Sequence, residues 1–352
     1  MRSPGYWKSY HASRANERQR VFRLCRRVVE KLGPPWQVAK RGRPPEHQPE
    51  EYAAISIYRK HFHMALRVAE GDTPFTLGKR VDHSDIWWGL QRISAEYVDQ
   101  AIELLFGLIV ELFPPDIFIP DATGVQTDRY RKRKRPKLRP RDKPPPKWRR
   151  RRGKRPSEER EHVTLKLHLL VGYCKGPGLL PILRARVTRG HAHDSPQLKF
   201  LVGETRGKGE PFPADRGYDS ENNYILVKDR GFVPVIKLRK GEPKGLVRRE
   251  MAESFELHRD IYRYRGLIEG VFGGTETKYG NRTRCRLRRS RRVDCLLMVV
   301  SHNLRTYMRA LALKELGIFI LLLIYWTTPR WGLEHKKELR FEILEKRPAR
   351  KC

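Results

Sequence analysis

Asp121 is the first residue of this chain whose position points to chemistry. It follows the apolar residues Ile117, Phe118 and Ile119 and precedes Gly124, a pattern that predicts a short buried strand over residues 116–125. A carboxylate near the end of such a strand is costly to bury alone, so it normally has a cation or a hydrogen-bond partner. Asp121 either has such a partner or only caps the turn that follows the strand.

Asp215 repeats this arrangement further along the chain. A short apolar approach over residues 211–214 leads to Asp215, and Gly217 follows. A second carboxylate in the same context favours a joint role for the two aspartates over two separate turn caps, because hard divalent cations are bound by carboxylates.

Glu269 lies on a long helix that we predict to begin near residue 259. Tyr262, Arg265 and Glu269 are spaced i, i+3 and i+7, so they share one helix face. Arg265 and Glu269 could form an ordinary surface ion pair, worth about 0.3 kcal/mol. The alternative is that this face turns toward the two aspartates.

The charge of the chain indicates a polyanionic partner. Its 352 residues include 75 Lys and Arg against 40 Asp and Glu, a formal net charge of +35. Nucleic acid fits better than a membrane, because the longest apolar run, residues 317–326, is too short to span a bilayer and the N-terminus shows no signal peptide. Five scattered cysteines without a Cys-x-x-Cys pair favour a reducing compartment, with neither disulfides nor structural zinc.

Hydrophobic periodicity and turn residues predict four segments. Residues 1–48 are a basic N-terminal segment, and residues 49–113 are a helical domain that either binds DNA or only packs. Residues 114–310 are predicted to form an α/β domain in the order strand, strand, strand, helix, strand, helix, strand and long helix. Residues 311–352 are a C-terminal helix and tail.

Two arginine-rich stretches belong to the third segment. Residues 129–155 contain 17 Lys and Arg and one acid, so they cannot form a core, and we predict a disordered, phosphate-binding arm inserted into the α/β domain. Residues 281–292 contain seven arginines and are predicted to contact phosphates as well.

Taken together, the motifs resemble those of DDE transposases of prokaryotic insertion sequences. The matching motifs are Asp121-Ala-Thr, then Ala214-Asp215-Arg-Gly-Tyr-Asp219, then Tyr262-x-x-Arg265-x-x-x-Glu269. The resemblance implies an α/β, ribonuclease H-like mixed sheet flanked by helices and preceded by an α-helical N-terminal domain. One position departs from the family pattern: Glu276 stands where a lysine often follows, and Lys278 lies two residues further on.

The resemblance also implies a mechanism and a set of partners. Asp121, Asp215 and Glu269 would be the catalytic residues and would hold two divalent metal ions, Mg²⁺ or Mn²⁺, with Asp121 bridging both. The enzyme would cut and join double-stranded DNA, at element ends and target, as a homodimer in the cytoplasm and associated with the nucleoid. We expect no membrane partner and no small-molecule substrate. The expected DNA contacts are Tyr262, Arg265, Lys278, Lys166, Arg284 and Arg286.

Two other functions remain open on the sequence. One is a basic nucleic-acid-binding protein without catalysis, which would bind DNA without metal-dependent cleavage. The other is a related nuclease or resolvase that has the same acids but no joining step. A transposase relative that has lost activity is a further alternative, because of Glu276 and the long arm.

Overall fold

A computed structural model describes residues 6–38, 45–132, 160–239, 241, 245–285 and 287–327. Its centre is an antiparallel meander of three strands, β1 (Ile117–Lys132), β2 (Arg160–Tyr173) and β3 (Ile182–Arg189), in the order β3-β2-β1. Strand β1 is longer than predicted, because its second half continues the ladder with β2 as far as the pair Lys132 and Arg160. The first four residues of the predicted arm are therefore strand, and residues 133–159 lie outside the described part.

Three shorter strands complete the β structure. β4 (Pro211–Ala214) and β5 (Val233–Ile236) form a parallel pair, and β4 packs beside β1. β6 (Arg282–Thr283) pairs in parallel with β1 at residues 126–127. The result is a mixed sheet with helices around it, and it is consistent with the predicted ribonuclease H-like α/β class.

In the described part of the chain, six helices precede the sheet, and local capping explains where several of them begin. Gln48 and Glu51 form a capping box at the start of α3, Asp82 accepts a hydrogen bond from the Ser84 amide, and Ser94 accepts one from the Tyr97 amide. The helices are α1 (Tyr6–Arg14), α2 (Glu17–Leu32), α3 (Pro49–His61), α4 (Leu66–Leu77), α5 (His83–Arg92) and α6 (Ala95–Val110).

The N-terminal helices share one hydrophobic core with the sheet. Val28 of α2, Ile55 of α3 and Ile102 of α6 belong to the same buried cluster as Ile119 of β1 and Leu169 of β2. The proposed boundary at residue 113 thus separates two segments that bury apolar surface together. A second, smaller core lies between the β4–β5 pair and the helices that pack on it.

The helices after β3 follow the predicted order with two differences: the helix over residues 246–257 was not predicted, and the long helix is broken. They are α7 (Leu198–Val202), α8 (Glu221–Asp229), α9 (Leu246–Leu257), α10 (Arg259–Tyr262) and α11 (Leu267–Tyr279). The single helix predicted from residue 259 is wrong: a 3₁₀ turn, Arg263–Gly266, separates α10 from α11, and 3₁₀ turns are common at helix ends. Helix α11 then continues through Gly273 and Gly274.

The last helix, α12 (Arg288–Thr327), runs without a break across residue 310, the predicted end of the α/β domain. Buried Asn303 joins it to its neighbours: its Oδ1 accepts from the Ile182 amide at 2.8 Å, and its Nδ2 donates to the carbonyls of Ile182 and Ile102. A buried ion pair of 3.0 Å between Lys60 and Asp294 joins α12 to α3. Among the described residues, no helix combines the length and apolar character needed to cross a bilayer.

Candidate active site

Asp121 and Glu269 meet at one guanidinium group. Asp121 lies in β1 opposite Leu169 of β2, with its side chain 16 % exposed. Nη2 of Arg265 donates to Oδ2 of Asp121 at 2.7 Å, and Nη1 donates to Oε1 of Glu269 at 2.6 Å. The 3₁₀ turn and the start of α11 therefore face β1. Arg265 and Glu269 thus turn toward Asp121 and are not only a surface ion pair.

Asp215 joins this group from β4. It is the first residue after the strand, and its carbonyl accepts a hydrogen bond from the Tyr218 amide in a short 3₁₀ turn. Because β4 packs beside β1, the two aspartates are electrostatic neighbours. Burial is the main reason that the pKa of Asp121 is raised, and the negative charge of Asp215 raises it further, against the lowering effect of Arg265.

A fourth carboxylate, Asp194, lies beside the same group. Its charge also raises the pKa of Asp121. Lys166 of β2 donates to Asp194 at 2.7–2.9 Å, and Nδ1 of buried His168 lies 3.3 Å from Oδ1 of Asp194. These ion pairs and hydrogen bonds lower the pKa of Asp194 against the effect of its burial.

Asp194 is not among the site residues that the sequence predicts. Its side chain caps no helix. A usable signal was present in β2, because Lys166 and His168 are two residues apart and must lie on the same face of the strand. Lys166, which is predicted to contact DNA, pairs with Asp194.

Tyr218 adds a buried polar atom to the four acids. The residue is 1 % exposed, and within the described part of the chain its hydroxyl has no hydrogen-bond partner. Burial raises the pKa of Tyr218 well above its usual value, and the charges of Asp194, Asp121 and Asp215 raise it further, in that order. An unpaired buried hydroxyl near these carboxylates is a hydrogen-bonding group that a polar ligand of the site would satisfy.

Residues 112–304 match the family model of the transposase DDE domain. The chain belongs to this family. The match covers more than half of the 352 residues and includes all four acids. No curated protein matches the chain.

Within this DDE transposase domain, Tyr262 lies on the Asp215 side of the site. Its ring packs on Phe255, with centroids 5.4 Å apart, and Nζ of Lys237 lies 5.7 Å from its centroid. Burial raises the pKa of Tyr262, and the charge of Asp215 is the next cause. The structure thus brings together Tyr262, Arg265 and the predicted acids.

Glu276 faces the DDE site and Lys278 does not. Glu276 is seven residues beyond Glu269, on the same face of α11, and its Oε1 accepts a 3.3 Å hydrogen bond from Thr123 of β1. Lys278 is nine residues beyond Glu269, about two and a half turns, and so lies on the opposite face of α11. There it lines a separate cavity.

An arginine-lined groove lies beside the transposase site, at the start of α12. A cavity of about 550 Å³ is bounded by Arg189 of β3 and by Arg288, Arg289 and Arg292, with Glu96 as its acid. A smaller cavity of about 190 Å³ continues it to His191, three residues before Asp194. Arg284 is exposed just before this region, and Arg286 lies outside the described residues.

Another group of possible metal ligands lies elsewhere in the chain. Within the described residues, the group of three whose ligand atoms all lie within 4.8 Å of one another is Glu70, Asp82 and His83, near the start of α5. Arg80 already hydrogen-bonds to Glu70, and His83 lies 2.9 Å from it. These partners lower the pKa of Glu70, so this cluster already has a cation of its own.

Proposed function

We propose that this DDE transposase cuts and joins DNA at the ends of an insertion sequence. The observation that supports this best is the arrangement of Arg265, which hydrogen-bonds to Asp121 of β1 and Glu269 of α11 beside Asp215. A strand acid and a helix acid share one guanidinium group there, and the charge of a second strand-end acid acts on the first, in a protein whose charge is strongly positive. Such a site suits phosphoryl transfer on a polyanion.

The residues present fit two divalent cations. Asp121, Asp215 and Glu269 supply hard carboxylate oxygens, and the unpaired hydroxyl of Tyr218 lies in the field of the acids. Asp121, Asp215 and Glu269 would hold Mg²⁺ or Mn²⁺, which would supply activation of the attacking water or 3′-hydroxyl and stabilisation of the leaving oxygen. The burial of Asp121 raises its pKa and so disfavours its charged form, and a bound cation would compensate for that.

The remaining residues of the site would position the reactants. Arg265 neutralises both Asp121 and Glu269 and carries a planar group suited to a phosphate. Lys166 and His168 hold Asp194 next to Asp121, so that the local negative charge stays partly compensated. Tyr262, with Lys237 against its ring, forms the wall on the Asp215 side.

DNA would reach the acids along the arginine-lined groove. The groove arginines come from β3 and from the first two turns of α12, and its smaller end opens near His191. The arm predicted at residues 129–155, whose first four residues belong to β1, would add phosphate contacts without reading bases. We also propose a homodimer associated with the nucleoid in the cytoplasm, because two ends must be held together.

A related nuclease without strand joining is the second candidate, and Glu276 favours it. The family pattern often has a lysine at this position, and here a carboxylate accepts a hydrogen bond from Thr123 beside Asp121. A negative group there would repel a DNA end rather than hold it. This candidate predicts cleavage of the element ends with no joined product.

Cleavage of a duplex that carries the DNA flanking the gene tests the proposal. Asp121→Asn, Asp215→Asn and Glu269→Gln should each abolish Mg²⁺-dependent cutting and leave duplex affinity in EDTA unchanged. Glu250→Gln, which changes an exposed acid paired with Lys228, is the matched control and should cut normally. Full activity in any of the three site variants would reject the assignment, and joined product separates the transposase from the nuclease.

A further inference from the structure

A cavity of about 170 Å³ lies on the side of α11 that faces away from Glu269. Helix α1, the turn between β2 and β3, α11 and α12 each contribute to its wall. Its cationic lining residues come from three helices: Arg14 from α1, Lys278 from α11, and Arg305 and Arg309 from α12. Nothing in the proposed cleavage reaction uses this cavity.

Positive charge at the cavity exceeds the negative charge nearby. The adjacent acid, Glu17, lies 2.6 Å from Arg14 and 3.8 Å from Arg305, so one carboxylate is shared between two guanidinium groups. Partial desolvation and the charges of Arg305 and Arg14 lower the pKa of Lys278 to about 8. Lys278 is therefore repelled by its neighbours, a repulsion that a bound anion would relieve.

The remaining polar groups of the wall do not offset this charge. His302 donates a 2.8 Å hydrogen bond to the Leu180 carbonyl, and burial lowers its pKa to about 4, so it is neutral at pH 7. Within the described part of the chain, the buried Nε of Arg305 has no hydrogen-bond partner. A donor of this kind, buried in the wall of a cationic cavity, is suited to an oxyanion.

The shape of the cavity limits the size of the anion. Gly270 and Gly274 form part of its wall on α11, and a Cβ at either position would meet no atom within 4 Å, so the helix surface is open to a ligand. The volume of about 170 Å³ is below the roughly 300–1,000 Å³ typical of pockets for drug-sized ligands. A single phosphate group fits this space better than a whole nucleotide.

We propose that this cavity binds one phosphate group, either free inorganic phosphate or a phosphodiester of a nucleic-acid backbone. It is separate from the groove at the start of α12, because Arg305 lies thirteen residues beyond Arg292, about 20 Å along the helix. Phosphate binding in this cavity does not depend on the proposed cleavage reaction, so the two proposals can be tested independently.

Phosphate binding and duplex binding are measured for the full chain and three variants, without divalent metal. Lys278→Gln removes a charge from the exposed rim, and Gly274→Glu places an acid at the wall in a helix that tolerates glutamate. Lys208→Gln, which removes an exposed lysine from the loop before β4, is the matched control. The first readout is the Tm in sodium phosphate against sodium chloride at equal ionic strength, and the second is the salt dependence of binding to a mixed-sequence duplex.

Phosphate should raise the Tm of the full chain and of Lys208→Gln relative to sodium chloride. It should not raise the Tm of Lys278→Gln or Gly274→Glu. If the occupant is a DNA phosphodiester, Lys278→Gln should also reduce the slope of log K against log salt by about 0.9. Loss of the phosphate effect with an unchanged slope supports the proposal with free phosphate as the occupant. Equal behaviour of all four proteins in both measurements would overturn the proposal.

Discussion

Arg265 hydrogen-bonds to Asp121 at 2.7 Å from a 3₁₀ turn that lies 144 residues later in the chain. The same guanidinium holds Glu269 at 2.6 Å. Two of the three proposed metal ligands are thus neutralised by the protein's own cation. Any divalent ion that binds both carboxylates has to compete with Arg265 for them.

This competition predicts opposite effects on metal binding and on cleavage. Arg265→Gln should bind Mn²⁺ about tenfold more tightly, because a charge-assisted hydrogen bond no longer has to be replaced. Cleavage should fall, because the phosphate loses its guanidinium partner. Mn²⁺ affinity is measured by electron paramagnetic resonance, with Arg263→Gln, an exposed arginine on the same turn, as control. Weaker Mn²⁺ binding in Arg265→Gln would contradict the competition.

Asp194 and Lys166 should be coupled to each other and to Asp121. Their side chains are 27 % and 22 % exposed, so a double-mutant cycle of Asp194→Asn and Lys166→Met should give a coupling energy of about 1 kcal/mol in unfolding free energy. Asp194→Asn should also lower the pKa of Asp121, because a negative neighbour is removed and Lys166 is left unpaired. Carboxyl ¹³C NMR titration checks this, and an unchanged Asp121 pKa would mean that Asp194 and Asp121 are not electrostatically coupled.

Asp99 of α6 should make stability depend on pH. Burial raises the pKa of Asp99 to about 7, although Arg292 lies 3.9 Å away. Between about pH 4 and pH 7 the unfolded chain ionises this carboxyl and the folded chain does not, so stability falls as the pH rises through that window. Asp99→Asn should therefore raise the Tm at pH 8 and leave it unchanged at pH 4. Asp229→Asn, which changes an exposed acid on α8, should leave the Tm unchanged at both pH values.

Asn303 should be essential for the junction of α12, β3 and α6. Asn303→Ala leaves the buried amide and carbonyl of Ile182 unpaired, which should cost about 2–4 kcal/mol in unfolding free energy. Asn222→Ala, an exposed asparagine on α8, should cost far less. Urea denaturation of both variants measures the difference, and equal values would mean that the Asn303 hydrogen bonds contribute little.

Deletion of the arm should weaken DNA binding without changing its selectivity. Because Lys132 pairs with Arg160, an Asn-Gly turn in place of residues 133–159 should close β1 and β2 as a hairpin. If the arm makes six to ten phosphate contacts, the DNA affinity of the full chain should fall by roughly 10³–10⁵ between 50 and 200 mM salt. Deletion of the arm should remove most of this salt dependence. Titrations on element-end and random duplexes test this, and a selective loss of end binding would make the arm a sequence reader.

The sequence alone indicated most of the element order of the α/β domain, the three acids of the family signature and a polyanionic partner. Helices and strands follow from local periodicity and from caps such as Asp82, and net charge is a sum over residues, so no tertiary contact is needed to obtain them. The four-residue spacing of Arg265 and Glu269 also indicates that the two side chains can pair.

Only the tertiary structure decided which of these residues meet. The pairing of Lys166 with Asp194 depends on how the loop after β3 returns to β2, and the position of Arg265 depends on a 3₁₀ break that spacing does not predict. Lys278 lies two residues from the expected position, and that shift places it across α11 in another cavity. Such contacts join residues far apart in the chain, and the packing of strands and helices sets them, whereas local propensity does not.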